Sequence, residues 1–304
     1  MRSNSGEIFR QVVKKGEFII AAYKRSPINY MGGKYRSLKN IIPNFAEDVD
    51  TFYDLFSGSG TVHLNTNANK IVSNDINDIV IDLQEYISKS EPESLYEQLK
   101  ELAEEYKLSE QDSAGYIALR KEFNVDRDML KLLALSQHSF NYLIRFNKQG
   151  GFNASHGKGI SKLSQDFLEK LVNFEEHAKA SATEFTSKDF RHAIDLGEVQ
   201  KNDLIYCDPP YLLSEAVYNE KRAFGGWGKG DTEDLLTLLD EIDKRGSRFA
   251  LSEMIASKGR VNEVLAKWVE DNGYSINYNN VKYLGVPSTH NNDKKSVEVL
   301  VTNY

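Results

Sequence analysis

One doubly wound α/β sheet carrying an inserted second domain is the fold class that three observations predict. Strand and helix signals alternate near both ends of the chain, and the middle is almost wholly helical. That helical stretch closes on an aromatic, glycine-bearing ribbon. Apolar residues at helical spacing (Ile8, Val12, Phe18, Ile19, Ala22) predict an N-terminal helix over 7–25. Residues 29–34 form a glycine turn leading into an amphipathic segment through Phe45. Residues 51–56 read as a short apolar strand, stopped by Ser57-Gly58-Ser59-Gly60, and 70–73 as a second strand ending at Asn74-Asp75. From Ile79 to Leu135 the apolar period is helical, with charged outer faces. Residues 140–152 change period and read as a hairpin or ribbon, after which helical texture resumes over 164–179. Strand signals return at 204–207, 248–252, 274–283 and 297–303, with helices between them at 232–244 and 261–271.

Composition narrows the function classes. A chain of 304 residues with 40% hydrophobic and 11% aromatic content can bury a large core. No apolar run is long enough to cross a bilayer, and Met1-Arg2-Ser3-Asn4-Ser5 lacks a signal-peptide core, so a cytoplasmic setting without membrane partners is expected. The single cysteine, Cys207, excludes an intrachain disulfide and a cysteine-cluster metal site, and no metal is expected. Net charge is −7, which disfavours a polyanion overall. Between Met129 and Gln165, however, there are five basic residues (Lys131, Arg145, Lys148, Lys158, Lys162) and no Asp or Glu. Such a stripe suits nucleic acid at one face, although a gap this short also arises by chance.

Asp208-Pro209-Pro210-Tyr211 follows the apolar run Leu204-Ile205-Tyr206-Cys207. Two prolines cannot continue a ladder, so the strand ends at the carboxyl edge where open α/β sheets bind ligands. The Asp208 carboxylate and the Pro209 carbonyl are acceptors, and Tyr211 offers a flat face. Together they suit a planar amine such as adenine; alone, the motif is equally a capped strand end. The glycines of Asp54-Leu55-Phe56-Ser57-Gly58-Ser59-Gly60 let backbone approach a ligand closely. Asp75 lies about 20 residues further on, where an acid meets a ribose hydroxyl in dinucleotide-type folds. A third glycine and a phosphate-loop lysine are missing, which points to an adenosine ligand without phosphates, S-adenosylmethionine being the natural candidate.

Tyr30-Met31-Gly32-Gly33-Lys34, the Asp54–Gly60 run, Asn74-Asp75-Ile76-Asn77, Phe140-Asn141-Tyr142-Leu143-Ile144-Arg145-Phe146-Asn147 and Asp208–Tyr211 occur in one order. In that order they resemble the Dam-type (D12 class) DNA adenine N6-methyltransferases of enteric bacteria, T-even phages and streptococcal restriction systems. The resemblance implies a Rossmann-like methyltransferase sheet whose last strand, 297–303, runs antiparallel. It implies a discontinuous catalytic domain, 1–80 and 186–304, around a helical plus β-hairpin target-recognition domain, 81–185. Tyr30, Lys34, Phe56, Gly58, Gly60, Asp75, Asp189, Phe190 and Asp208 match cofactor positions, and Asp208, Pro209 and Tyr211 the catalytic ones. Asn141, Leu143 and Arg145 match recognition positions, with Lys158 as a phosphate contact. The implied target is a GATC-like site in double-stranded DNA, with a cognate restriction endonuclease as a possible partner. Where relatives carry a Pro-Phe-Gly run with basic residues, this chain has Ser155-His156-Gly157-Lys158-Gly159, which weakens the GATC inference.

The chemistry follows from the base. The exocyclic nitrogen of adenine is a poor nucleophile because its lone pair is delocalised. Accepting its two N–H groups at Asp208 and Pro209 frees that lone pair for direct displacement at a methyl carbon, and in-line positioning supplies the rest. Cys207 has no part in this and is expected in the core. A stacked adenine must first be flipped out, with Tyr211 as its stacking partner and the glycine-rich loop 224–230 placed to cover it. Arg145 on a ribbon suits the O6 and N7 of guanine. Two other readings use the same residues: amino methylation of cytosine N4, an RNA adenine or a protein glutamine, and a non-catalytic DNA-binding module.

Overall fold

The computed structural model describes residues 23–158, 163–213, 226–279 and 296–304. The expected helix over 7–25, Gly159, Lys162, Phe224, Gly225 and the end of the strand expected over 274–283 lie wholly or largely outside those residues. In chain order, the described elements begin with a short helix α1 (Leu38–Ile41), strands β1 (Thr51–Asp54) and β2 (Lys70–Asn74), and helix α2 (Asp78–Lys89). Helices α3 (Pro92–Glu105), α4 (Ala114–Asp126), α5 (Met129–Gln137) and α6 (Gln165–Ala180) follow, then strands β3 (Glu184–Thr186) and β4 (Leu204–Cys207). Helix α7 (Lys229–Lys244), β5 (Arg248–Ser257), β6 (Arg260–Val261), α8 (Glu263–Asn272), β7 (Ser275–Asn279) and β8 (Val297–Thr302) complete the order.

The sheet runs β3-β2-β1-β4-β5-β8-β7, with β6 appended to β5. From β3 to β5 every pairing is parallel, and β8 runs antiparallel to both β5 and β7. Parallel strands need cover on both faces, and β4 shows why its sequence is apolar throughout. Leu204 and Tyr206 enter one core with Leu38, Phe52 and Ile71; Ile205 and Cys207 enter the other with Leu235, Leu239 and Phe249. Cys207 is therefore a core residue, as expected, and burial pushes its thiol well up. The chain leaves β1 for β2 on one side and returns to β4 on the other, which opens a crevice at the carboxyl ends of β1 and β4.

Helices α2 to α6 build a third core of Leu83, Leu99, Phe123, Leu133 and Phe174, and this core also takes in Ile144, Phe146 and Phe152 from the ribbon. The ribbon is looser than a hairpin. Its pairing consists of two isolated bridges, Phe146↔Phe152 and Ser139↔His156, and a single 3-10 turn spans Phe140–Tyr142. Its inward phenylalanines anchor it, so hydrophobic contact replaces a ladder.

Candidate active site

β1 ends at Asp54, β2 runs into Asp75 and β4 into Asp208. Because β1 sits between the other two, three carboxylates from distant stretches of chain converge on one edge. They line a cavity of about 140 Å³, which also takes in Tyr30, Lys34, Phe56, Gly58, Asp189, Phe190, Pro209 and Tyr211.

At one end the Lys34 ammonium lies 2.7 Å from Asp208 Oδ2. Asp208 Oδ1 accepts no hydrogen bond among the described residues and so keeps its acceptor capacity. Burial raises the Asp208 carboxyl to about 6, against the pull of Lys34, so it is mostly ionised at neutral pH. Tyr211 is only 5% exposed, with the Lys34 ammonium 4.9 Å from its ring centroid. Its hydroxyl favours the Asp208 anion without completing a hydrogen bond. A base stacked on Tyr211 must therefore take the face that Lys34 leaves open.

The glycine turn is held from both sides. Gly58, at φ +51°, donates its N–H to Asp75 Oδ2 at 2.9 Å, while Asp75 Oδ1 accepts from the Asn77 amide at 2.9 Å. The Asn77 side chain in turn donates to the Tyr30 hydroxyl at 2.9 Å, tying the first glycine turn to the second. Gln84, fully buried on α2, donates to Ser57 Oγ and Gly58 O and accepts from Ser73. Gly60, expected to meet the cofactor, is not among the residues that line the cavity, although Ser59 and Thr61 on either side of it are. A Cβ there would lie 2.5 Å from the His63 ring, and φ is +72°, so Gly60 serves packing beneath the turn.

At the other end, Phe56, Phe190 and Trp227 form a cluster of rings with centroids 5.4–5.6 Å apart. Asn74 fixes the segment before Phe190, since its side chain bonds the carbonyls of Leu55 and Lys188, the Lys188 amide and the Thr186 hydroxyl. Asp189, expected beside the cofactor's adenine, lines the cavity and is also paired with Arg191 at 3.0 Å. The same guanidinium binds Asp231 and Asp234 on α7, both at 2.7 Å. Local sequence had not marked Arg191, whose partners on α7 come from another element, and had marked Trp227 only as part of the glycine-rich loop 224–230. The loop expected over 224–230 also changes character at its end, where Lys229 and Gly230 already belong to α7.

The residues expected to read the target are not among those that line this cavity. Asn141 and Lys158 are exposed, and Leu143 and Arg145 are half-buried. Asn141 and Tyr142 both take left-handed backbone, and Phe140 beside them is 64% exposed, the most prominent aromatic on the ribbon. Arg145 is not a free arm: its Nε and Nη2 donate to Asn153 Oδ1 and O, both at 2.9 Å. The basic stripe is shorter than the sequence promised, because Lys131 is taken by Glu122 and Asp126. His156, in the stretch that departs from the family pattern, stacks on Tyr116 at 4.8 Å and bonds Leu108 O and Ser113 Oγ. It points into the helical core.

Asp54 is the residue that sequence reasoning passed over. It is 1% exposed and lines the cavity, and the backbone amides of Phe56 and His63 face its carboxyl. Its place as the last residue of β1, directly before the glycine turn, was the available signal. No cluster of His, Cys, Asp or Glu suited to a metal occurs among the described residues, and none of their helices is long and apolar enough to cross a membrane.

This arrangement has counterparts in known proteins. Type II methyltransferase M.FokI of Planomicrobium okeanokoites is 37% identical over 294 residues, covering 96% of this chain and 45% of that protein. Modification methylase StsI of Streptococcus sanguinis is 36% identical over 284 residues, 93% of this chain and 43% of its own length. The chain thus spans less than half the length of these two relatives. A DNA adenine methylase of Vibrio cholerae is 29% identical over 243 residues, with 77% and 81% covered. Residues 30–283 match the family model for D12 class N6 adenine-specific DNA methyltransferases, an interval running from the first glycine turn past the Asp208 motif. With the glycine turn, the three converging carboxylates and the Asp-Pro-Pro-Tyr corner all inside that interval, the chain belongs to the D12 class of N6 adenine-specific DNA methyltransferases.

Proposed function

We propose that the protein transfers a methyl group from S-adenosylmethionine to the N6 of an adenine flipped out of double-stranded DNA. The observation that carries this reading is Asp208, at the tip of β4, whose Oδ1 accepts no hydrogen bond while Oδ2 is held by Lys34. The residues present fit the cofactor. Phe56, Phe190 and Trp227 offer apolar faces for its adenine, and Asp75 lies at the tip of β2 for its ribose. Buried acids around the cavity suit a positively charged ligand. Bound there, the cofactor supplies an electrophilic methyl on a sulfonium.

The remaining work belongs to the chain. Asp208 and the Pro209 carbonyl accept the two amine hydrogens and orient the nitrogen lone pair. The Lys34 ammonium favours the ionised form of Asp208, which is the form that accepts. Tyr211 and the cavity wall hold the base and exclude water. Residues 81–185 act as the target-recognition domain and 1–80 with 186–304 as the catalytic domain. Asn141, Leu143 and Arg145 meet bases; Lys158 meets phosphate. The Nη1–Nη2 edge of Arg145, left over by Asn153, is the edge offered to guanine. A GATC-like target rests on the resemblance at these positions alone. Relatives named as a type II methyltransferase and a modification methylase support a cognate endonuclease as partner.

Methyl-labelled cofactor incubated with separate DNA, RNA and protein acceptors tests the reading. Label is expected in DNA, as N6-methyladenine. Asp208→Ala should lower the transfer rate by about 10³-fold, the scale of losing one group aimed at the reacting centre, with an unchanged melting temperature. A fully active variant overturns the assignment.

A further inference from the structure

We infer that helix α4 is the template on which the ribbon's return limb is laid, and that Asn124 on it is a positioning residue for target choice, acting through Asn153 and Arg145. The inference rests on the proposed reading in which Arg145 meets a base, and it assigns a share of specificity to a helix outside the ribbon.

The return limb meets the outgoing one at only two isolated bridges. Alternate residues of the limb turn their main-chain groups to α4 instead. Arg127, at the C-cap of α4, donates from Nη1 to Gly150 O at 2.8 Å. The Asn124 side chain is bidentate on Phe152, donating to its carbonyl at 3.1 Å and accepting from its N–H at 2.7 Å. The Tyr116 hydroxyl and Arg120 Nη1 both donate to Ala154 O, at 3.2 and 3.3 Å. Helix and limb thus run in opposite directions, since 127, 124 and 120 meet 150, 152 and 154 in that order. Four residues of helix rise about 6 Å and two of strand about 6.7 Å, so one stripe of helix side chains can keep step with every second residue of the limb. A carboxamide offers a donor and an acceptor side by side as a peptide group does, so Asn124 stands in for the neighbouring strand that the limb lacks.

What this stripe fixes is Asn153, which lies between the two pinned residues. Its N–H donates to Arg145 O at 2.9 Å, and its side-chain and main-chain oxygens accept from Arg145 Nε and Nη2, both at 2.9 Å. With Phe152 and Ala154 held by α4, the orientation of Asn153 is set from the helix, and with it the guanidinium edge that Asn153 leaves over. Asn124 is itself exposed, so truncating it opens no cavity, whereas Tyr116 is 1% exposed and belongs to the helical core. Arg120 and Arg127 carry charge that any polyanion would attract. Asn124 is therefore the member of the stripe whose removal changes position and little else.

Methylation-sensitive sequencing of a DNA library randomised around the target and treated with the full chain reads the base preference at each position. Asn124→Ala is expected to lower that preference by about tenfold, within the range that one bidentate base contact supplies, at the position that Arg145→Ala relaxes. The rate on the best target should fall by far less. Asn124→Asp keeps the acceptor for the Phe152 N–H but turns the donor into a second acceptor facing Phe152 O, and it should relax the same position. Asn124→Ala combined with Arg145→Ala should be no more relaxed there than Arg145→Ala alone, because both act through one guanidinium. A purely structural role would instead lower transfer on every target alike and add to the Arg145→Ala loss. Val125→Ala, at the 86% exposed neighbour, should behave as wild type. An unchanged profile in both Asn124 variants, a uniform loss on all targets, additive losses in the double variant or a Val125→Ala profile that matches Asn124→Ala overturns the inference. If Arg145→Ala relaxes a position and the Asn124 variants do not, this inference alone falls. If Arg145→Ala itself leaves the profile unchanged, the reading of Arg145 falls, and this inference with it.

Discussion

The cavity at the strand ends and the ribbon proposed to read the target are built by opposite means. In the cavity, Asp75, Asn77, Gln84 and Asn74 each satisfy two or more backbone or side-chain partners, so the turn at 57–60 has one available shape. In the ribbon, two isolated bridges, an asparagine holding an arginine and a few inward phenylalanines do the same task over a longer stretch. On the proposed function, the difference separates chemistry from reading. Methyl transfer needs atoms held to fractions of an ångström, which sheet geometry supplies, whereas target choice needs side chains that reach outward. Changes in the cavity should therefore lower stability or rate on every target, and changes in the ribbon should redistribute activity among targets.

Gly60 offers the strongest way to break that contrast. Gly60→Ala places a Cβ against the His63 ring at left-handed φ, and we expect a loss of about 3 kcal/mol, read from denaturant unfolding. A variant as stable as wild type would mean that the turn is not rigid.

Acidity sharpens the same side of the comparison, because two buried groups near the cavity act in opposite directions. His63 is lowered to about 3 in the folded chain from 6.5, so the unfolded chain binds protons that the folded one refuses. Its contribution is full above 6.5 and is lost as pH falls below that value, at most about 1.4 kcal/mol per pH unit. Glu253 is raised to about 8 from 4.5, so its contribution is full below 4.5 and is lost as pH rises through 8. Wild type should therefore lose ground to His63→Gln on acidification and to Glu253→Gln at alkaline pH. Parallel stability curves for all three proteins would contradict the burial argument.

Smaller effects belong to the ribbon. Arg145→Ala should cost ~1–3 kcal/mol of discrimination at one guanine position while leaving the rate on the best target nearly intact, as read by methylation-sensitive sequencing of a treated library. Asn153→Ala, which releases the same guanidinium, should relax the same position by less. An unchanged target profile in both would remove Arg145 from recognition. The smallest effect is expected at Lys131, held by Glu122 and Asp126 at the surface: Lys131→Met should shift stability by under about 1 kcal/mol and leave target choice alone.

What could be read from the sequence, and what could not, follows the range of the interactions involved. The strand ends near Asp54, Asn74 and Cys207 were legible to within two residues because each is announced by neighbours (glycines, an Asn-Asp pair, two prolines), although β1 stops at Asp54 rather than at Phe56. The antiparallel last strand followed from the family resemblance. β3 was missed because three residues, none of them fully buried, leave no period to detect. The stripe around Lys131 was overread because counting charges along a chain ignores acids that a neighbouring helix brings near.

The sequence by itself determined that strands stop close to 54, 74 and 207 and which acids and aromatics stand there, since backbone chemistry and local periodicity decide those points. Only the tertiary structure decided how those groups are paired. Arg191 draws three acids from two segments, Asn153 occupies half of Arg145, Gly60 faces His63, and the amides of Phe56 and His63 face Asp54. Pairing and burial are properties of the packed chain, and they set the charge on each group and so what it can do.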